Sequence, residues 1–146
     1  MANLSGRPPY KKTGKAKAKP KRMRQVSEKR AAYRRSDIGK LASLYMSLVK
    51  MLPCCVSGVH GPCDVHHCFH DRFGTRKASD FDVIPLSKQM HQDGPDAIHN
   101  GKAAWREKHG PDHAYIEQTR FAVLQMVDEK THDLLVAAFF DADAEK

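Results

Sequence analysis

Two adjacent histidines, His66 and His67, lie in a short apolar segment, and this pair limits the possible folds more than any other feature of the chain. Residues 79–87 form a second short segment in which acids precede a Val-Ile-Pro-Leu run, and His91 and His99 follow it. Side chains of adjacent strand residues face opposite ways, so the paired histidines cannot make equivalent contacts with one ion. The pattern therefore predicts a metal site in which the two neighbours have different tasks.

The order of these segments resembles the HNH (ββα-metal) endonucleases and, within them, the phage recombination enhancement function (Ref) nuclease family. The resemblance covers residues 52–118 and implies a metal-dependent DNA endonuclease of phage recombination that depends on RecA filaments. It is carried by these motifs: Leu-Pro-Cys-Cys at 52–55, Asp-Val-His-His at 64–67, Ala-Ser-Asp-Phe-Asp-Val-Ile-Pro-Leu at 78–86, His91, Ala-Ile-His-Asn-Gly at 97–101, and Trp105.

The resemblance implies three metal ligands, His66, His91 and His99, around one divalent ion. Such a histidine set is compatible with zinc, magnesium or manganese. Proline at 95 must interrupt any helix that begins near His91. We therefore expect His99 to reach the ion from a second helical start, and the alternative for His99 is a structural histidine bonded to a carbonyl.

The resemblance also implies that His67 is the general base. With an ordinary pKa of about 6.5, histidine can accept a proton from water near neutral pH. Asp82 occupies the position where the family often has an asparagine that orients this base, although a carboxylate can accept hydrogen bonds but not donate them. Asp80 is the alternative for the same role, or else a turn cap.

Four cysteines lie within fifteen residues, in a pattern that lacks a complete zinc knuckle. Where relatives carry further cysteine ligands, this chain has Ser57 and Ser87, and serine is a poor zinc ligand. We therefore predict buried free thiols for the whole set, Cys54, Cys55, Cys63 and Cys68.

Positive charge is concentrated at the start of the chain. The formal net charge is +8, but residues 1–36 hold 13 Lys and Arg against one acid, a net of +12, so the remaining residues sum to −4. With few large apolar side chains, residues 1–35 are predicted to be a disordered arm that binds nucleic-acid phosphates. The alternatives are a solubilising extension or a localisation tag. The arm's candidate phosphate contacts are Lys15, Lys17, Lys19, Lys21 and Arg22.

A basic loop between the two predicted strands contains Arg72, Arg76 and Lys77, which are further candidate DNA contacts beside a glycine. An ordinary solvated loop is the alternative. DNA, single-stranded or duplex, is the expected partner, and RNA is not excluded by any residue.

The rest of the chain reads as helices around this core. Ser36 is a predicted N-cap of a helix that ends before Pro53, Pro111 is predicted to open a helix over residues 112–128, and Thr131 to cap another through Phe140. The fold class predicted is α+β: a small ββα-metal core, wrapped by helices over residues 36–146, after the disordered arm.

No run of 18 apolar residues occurs, so we expect an intracellular protein without a membrane partner. The resemblance implies a phage or prophage protein in the cytoplasm of a bacterial host. A second function remains open at this point: a non-catalytic DNA-binding accessory protein of recombination, in which the histidines hold a structural zinc.

Overall fold

The computed structural model describes residues 26–71 and 78–144. These residues form a two-stranded antiparallel sheet surrounded by helices, which confirms the predicted α+β class. The helices are α1 (Glu28–Arg35), α2 (Asp37–Val49), α3 (Lys102–His109), α4 (Ile116–Leu124) and α5 (Glu129–Ala144), and the strands are β1 (Asp64–His67) and β2 (Val83–Leu86). The predicted phosphate contacts at residues 15–22 and 72–77 lie outside the described residues.

Helix α1 corrects the predicted extent of the disordered arm, because residues 28–35 are helical. Ser36 joins α1 to α2, as its hydroxyl donates to the Tyr33 carbonyl at 2.6 Å and accepts from the Gly39 N–H at 3.2 Å. The second bond is the predicted N-cap of α2. A Cβ on Gly39 would overlap the Tyr33 carbonyl, so the close approach of α1 to α2 requires glycine there.

Strands β1 and β2 form the predicted pair. The sequence predicts the first strand over residues 65–68, whereas β1 starts at Asp64 and ends at His67. The register places His66 opposite Ile84 and His67 opposite Val83. Both strands are edges, so Pro85 breaks no further ladder. Its carbonyl instead accepts a hydrogen bond from the Cys55 N–H at 3.0 Å.

The two faces of β2 separate two apolar clusters. Val83 packs with Tyr45, Leu135 and Phe139 of the helices, whereas Ile84 packs into a second cluster. This division follows from the alternation of side chains along a strand. The second cluster contains Leu86, Ile98, Trp105 and Ile116 together with the buried thiols of Cys54, Cys63 and Cys68, and Cys55 is half-buried at its edge.

The last helices differ from the prediction in their starts. Residues 112–115 form a 3₁₀ turn before α4, so the predicted continuous helix over 112–128 is wrong. The cap of α5 is Asp128 and not Thr131, because the Thr131 N–H donates to the Asp128 carboxylate at 2.9 Å. Across the described ranges, none of the helices combines the length and apolar character needed to span a bilayer.

Candidate metal centre

Three predicted ligands, His66, His91 and His99, converge although they lie on three different pieces of backbone. His66 is on β1, His91 is in a π-helical turn over Gln89–Asp93, and His99 is in the turn before α3. One ring nitrogen from each lies within 4.8 Å of the other two. His66 and His91 are buried, and His99 is exposed. The arrangement is a pocket of three imidazoles with one open side.

Backbone hydrogen bonds bring His99 beside His91. The Ile98 N–H donates to the Met90 carbonyl at 2.9 Å, and the His99 N–H to the His91 carbonyl at 3.3 Å. The Asn100 amide closes the loop by donating to two carbonyls of the segment before it, at 3.1 and 2.8 Å. The expected second helical start at His99 is wrong, since α3 begins only at residue 102.

Asp112 fixes the ring of His66. Its carboxylate Oδ2 lies 3.2 Å from His66 Nε2, and the carboxylate is fully buried. A ring nitrogen that donates to a carboxylate leaves the other one as the free lone pair, so Nδ1 is the nitrogen of His66 that can bind a metal.

The same carboxylate also clamps the chain after β1. Asp112 accepts hydrogen bonds from the backbone N–H groups of Phe69 at 2.7 Å and His70 at 3.1 Å. Burial opposes ionisation, but the hydrogen bonds from His66 and from these two amides outweigh it and lower the pKa of Asp112 to about 2. Asp112 is therefore a carboxylate that orients His66 throughout the physiological range.

His70 is buried in this clamp and has a structural role. Its Nδ1 accepts from the Asp112 N–H at 2.9 Å, and its Nε2 donates to the Lys102 carbonyl at 3.2 Å. Both ring nitrogens are thus engaged, so His70 has no lone pair left for an ion.

Asp64 plays for His91 the part that Asp112 plays for His66. Asp64 Oδ2 lies 3.0 Å from His91 Nδ1, which leaves His91 Nε2 for a metal, and that atom is 3.1 Å from His99 Nε2. Two nitrogens bound to one tetrahedral zinc ion at 2.0–2.1 Å are roughly 3.3 Å apart. The spacing of this pair fits a shared ion with little movement.

The protonation of the cluster also favours a cation. Burial, partly offset by Asp112, lowers the pKa of His66, and burial followed by the nearby His91 lowers the pKa of His99. Both rings are therefore neutral at pH 7, and neutral imidazole is the form that binds metals.

His67 lies next to His66 on β1 but has a different partner. Its Nε2 is 2.9 Å from Asp80 Oδ1, so Nδ1 is the nitrogen left to accept a proton. Its side chain is 37% exposed, and that of Asp80 13%. Burial, followed by the charge of the nearby Asp80, raises the pKa of Tyr33 to about 12.

The structure places Asp82 elsewhere than predicted. Its Oδ1 lies 3.0 Å from Arg120 Nη2, and Arg120 also contacts Asp143 at 2.8 Å and Glu117 at 3.1 Å. Asp82 therefore joins the core to α4 and α5, and the carboxylate on the base candidate His67 is that of Asp80, the alternative weighed from the sequence.

Sequence reasoning missed Asp64 and Asp112, the two carboxylates that orient the ligands. Asp64 is the first residue of β1 and of the Asp-Val-His-His motif, so an acid two residues before a predicted ligand was a usable signal. Asp112 is 46 residues from His66, and no spacing in the chain links the two.

Comparison with known proteins gives a family but no function. No curated protein matches the chain, and no solved structure does. Residues 39–126, which include the three histidines, His67 and Asp112, match a family described as a protein of unknown function, DUF968. The match spans more than half of the chain, and the protein therefore belongs to the DUF968 family.

Proposed function

We propose that the protein is a metal-dependent DNA endonuclease with an HNH-type core. The observation that carries the proposal is the convergence of His66, His91 and His99 within 4.8 Å, next to His67, which is held by Asp80 instead of by the cluster. This is the division between metal ligands and a base that phosphodiester hydrolysis requires.

The residues present supply the parts of the reaction. A divalent ion on the three imidazoles would supply a Lewis acid for the scissile phosphate. His67 Nδ1 accepts the proton of the attacking water, and Asp80 stabilises the imidazolium that forms. Cleavage by the superfamily's route leaves a 5′-phosphate and a 3′-hydroxyl.

Charge and resemblance support DNA as the substrate. The net charge of +12 over residues 1–36 favours a phosphate backbone. The Ref-like motifs support a role in phage recombination in the bacterial cytoplasm and a RecA filament as partner. Zinc, magnesium and manganese are all candidates for the ion.

The test compares wild type with His67→Ala, His91→Ala and the control His132→Ala, which removes a half-buried histidine of α5 outside the cluster. Nicking of supercoiled and single-stranded DNA is measured with Mg²⁺, Mn²⁺ or Zn²⁺, with and without RecA and ATP. We expect His67→Ala to keep its metal and melting temperature while cleavage falls about 10²- to 10⁴-fold. His91→Ala loses both metal and cleavage, and His132→Ala neither. A wild type that binds metal and DNA but cuts under no condition refutes the nuclease.

A second candidate is a non-catalytic accessory protein with a structural zinc. The burial of His66 and His91, 2% and 8% exposed, favours it, because an ion bound between buried ligands contributes to the free energy of folding. In that case His67→Ala leaves every measured property intact, whereas His91→Ala unfolds the protein.

A further inference from the structure

Helix α1 carries an excess of positive charge. Its eight residues hold four cations against one acid, Glu28, and all four cations are exposed. Across residues 26–71 and 78–144, no carboxylate lies within ion-pair distance of any of them. The cations are Lys29, Arg30, Arg34 and Arg35.

The stability of the helix does not account for this charge. Arg34 and Arg35 in the last turn interact favourably with the helix dipole, but Lys29 and Arg30 lie in the first turn, where it disfavours cations. Arg30 and Arg34 are also four residues apart, a spacing at which like charges repel. An external anion would relieve both effects.

The position of α1 ties this charge to the candidate site. Burial, and then the charge of the nearby Asp80, raise the pKa of the Tyr33 phenol, so this residue of α1 lies close to the carboxylate that holds His67. Lys29 and Arg30 precede Tyr33 by four and three residues and so share its face of the helix. The close approach at Gly39 fixes α1 in this place.

We infer that the face of α1 formed by Lys29, Arg30 and Tyr33 is a phosphate-binding surface that holds the DNA backbone beside His67. The inference rests on the proposed function and adds to it the surface along which the DNA backbone approaches His67. Arg35 is about 200° around the helix from Tyr33 at about 100° per residue, so it faces away from this path.

Binding of the full chain to a fluorescein-labelled DNA oligonucleotide, with EDTA to prevent cleavage, tests the surface. We expect Lys29→Gln/Arg30→Gln to weaken binding roughly tenfold at 0.1 M salt and to reduce the slope of log K against log salt by about two. Two controls, Arg35→Gln and the double variant Lys40→Gln/Lys130→Gln, should stay within about twofold of wild type. If Lys29→Gln/Arg30→Gln and the two controls lose equal affinity, the inference that this face of α1 binds DNA is wrong.

Cleavage then separates this inference from the proposed function. With metal present, Lys29→Gln/Arg30→Gln should raise KM and leave kcat within about twofold, because these cations hold substrate and do not act on the water. A fall in kcat at unchanged KM overturns the inference. Absence of cleavage by wild type overturns the nuclease proposal alone, since the binding comparison is made without cleavage. Circular dichroism confirms that each variant is folded.

Discussion

His67 Nε2 lies 2.9 Å from Asp80 Oδ1, and this contact gives the histidine pair its two roles. The neighbouring His66 turns to the buried side of β1, where Asp112 holds it, whereas His67 stays 37% exposed. A fixed ring that substrate can reach is what a general base needs. The proposed base therefore depends on Asp80, which holds the ring, as well as on His67.

Replacement of Asp80 by asparagine tests that contact. Asp80→Asn keeps the shape but cannot stabilise the imidazolium, so we expect kcat to fall by about 100-fold or more with KM and bound metal unchanged. Asp82→Asn is the matched control, because Asp82 contacts Arg120, and it should change kcat less than about threefold. Both are measured by single-turnover cleavage at a temperature at which circular dichroism shows each variant folded. If kcat fell more in Asp82→Asn than in Asp80→Asn, Asp82 would be the residue that orients His67.

Arg120 is predicted to stabilise the packing of α4 and α5 on the core. Its side chain is 5% exposed and contacts Asp82 and Asp143, so Arg120→Met removes one partner of a buried ion pair. We expect the free energy of unfolding in urea to fall by about 3–5 kcal/mol. The control Arg106→Met breaks the exposed pair with Asp71 and should change it little.

A second substitution separates the lost ion pair with Asp82 from the lost contact of the guanidinium with Phe139. If loss of the ion pair causes the fall, Arg120→Met/Asp82→Asn regains part of the stability of Arg120→Met. A double variant that is no more stable than the single one would place the effect in the guanidinium group, which lies over the Phe139 ring.

The sequence predicted best what depends on neighbouring residues. The apolar Val-Ile-Pro-Leu run located β2 over residues 83–86, and the period of two along a strand predicted that the side chains of His66 and His67 face different surroundings. Ser36 was also predicted correctly as an N-cap, because its hydroxyl accepts a hydrogen bond from an amide only three residues later. Such local rules need no knowledge of the tertiary fold.

Contacts between distant segments could not be predicted in this way. Asp112 contacts His66 across 46 residues of sequence. His99 is held beside His91 by backbone hydrogen bonds of a turn that no periodic sequence pattern predicts. Asp80 and Asp82 lie two residues apart in the sequence, and only the fold shows that one contacts His67 and the other Arg120. Family spacing favoured Asp82, and the side-chain geometry favours Asp80.

Asp112→Asn tests whether the buried carboxylate sets the affinity of the metal site. Loss of a carboxylate that orients a ligating histidine typically weakens metal binding 10- to 100-fold. We expect a loss of that size, measured by competition with a zinc chelator, with one ion still bound at saturation. Asp96→Asn, which removes an exposed carboxylate paired with Lys108, should leave the affinity unchanged. An unchanged affinity in Asp112→Asn would limit that residue to clamping the backbone of Phe69 and His70.

Metal removal should destabilise the protein only while the three-histidine cluster is intact. If an ion binds only the folded state and its free concentration is 100 times its Kd, it adds about 2.7 kcal/mol to the free energy of unfolding. We therefore expect EDTA to lower the melting temperature of wild type and of His67→Ala equally, since His67 lies outside the cluster. His91→Ala should melt at the same temperature with and without EDTA. If His67→Ala also became insensitive to EDTA, His67 would be a metal ligand and not the base, and the division of tasks between the paired histidines would be wrong.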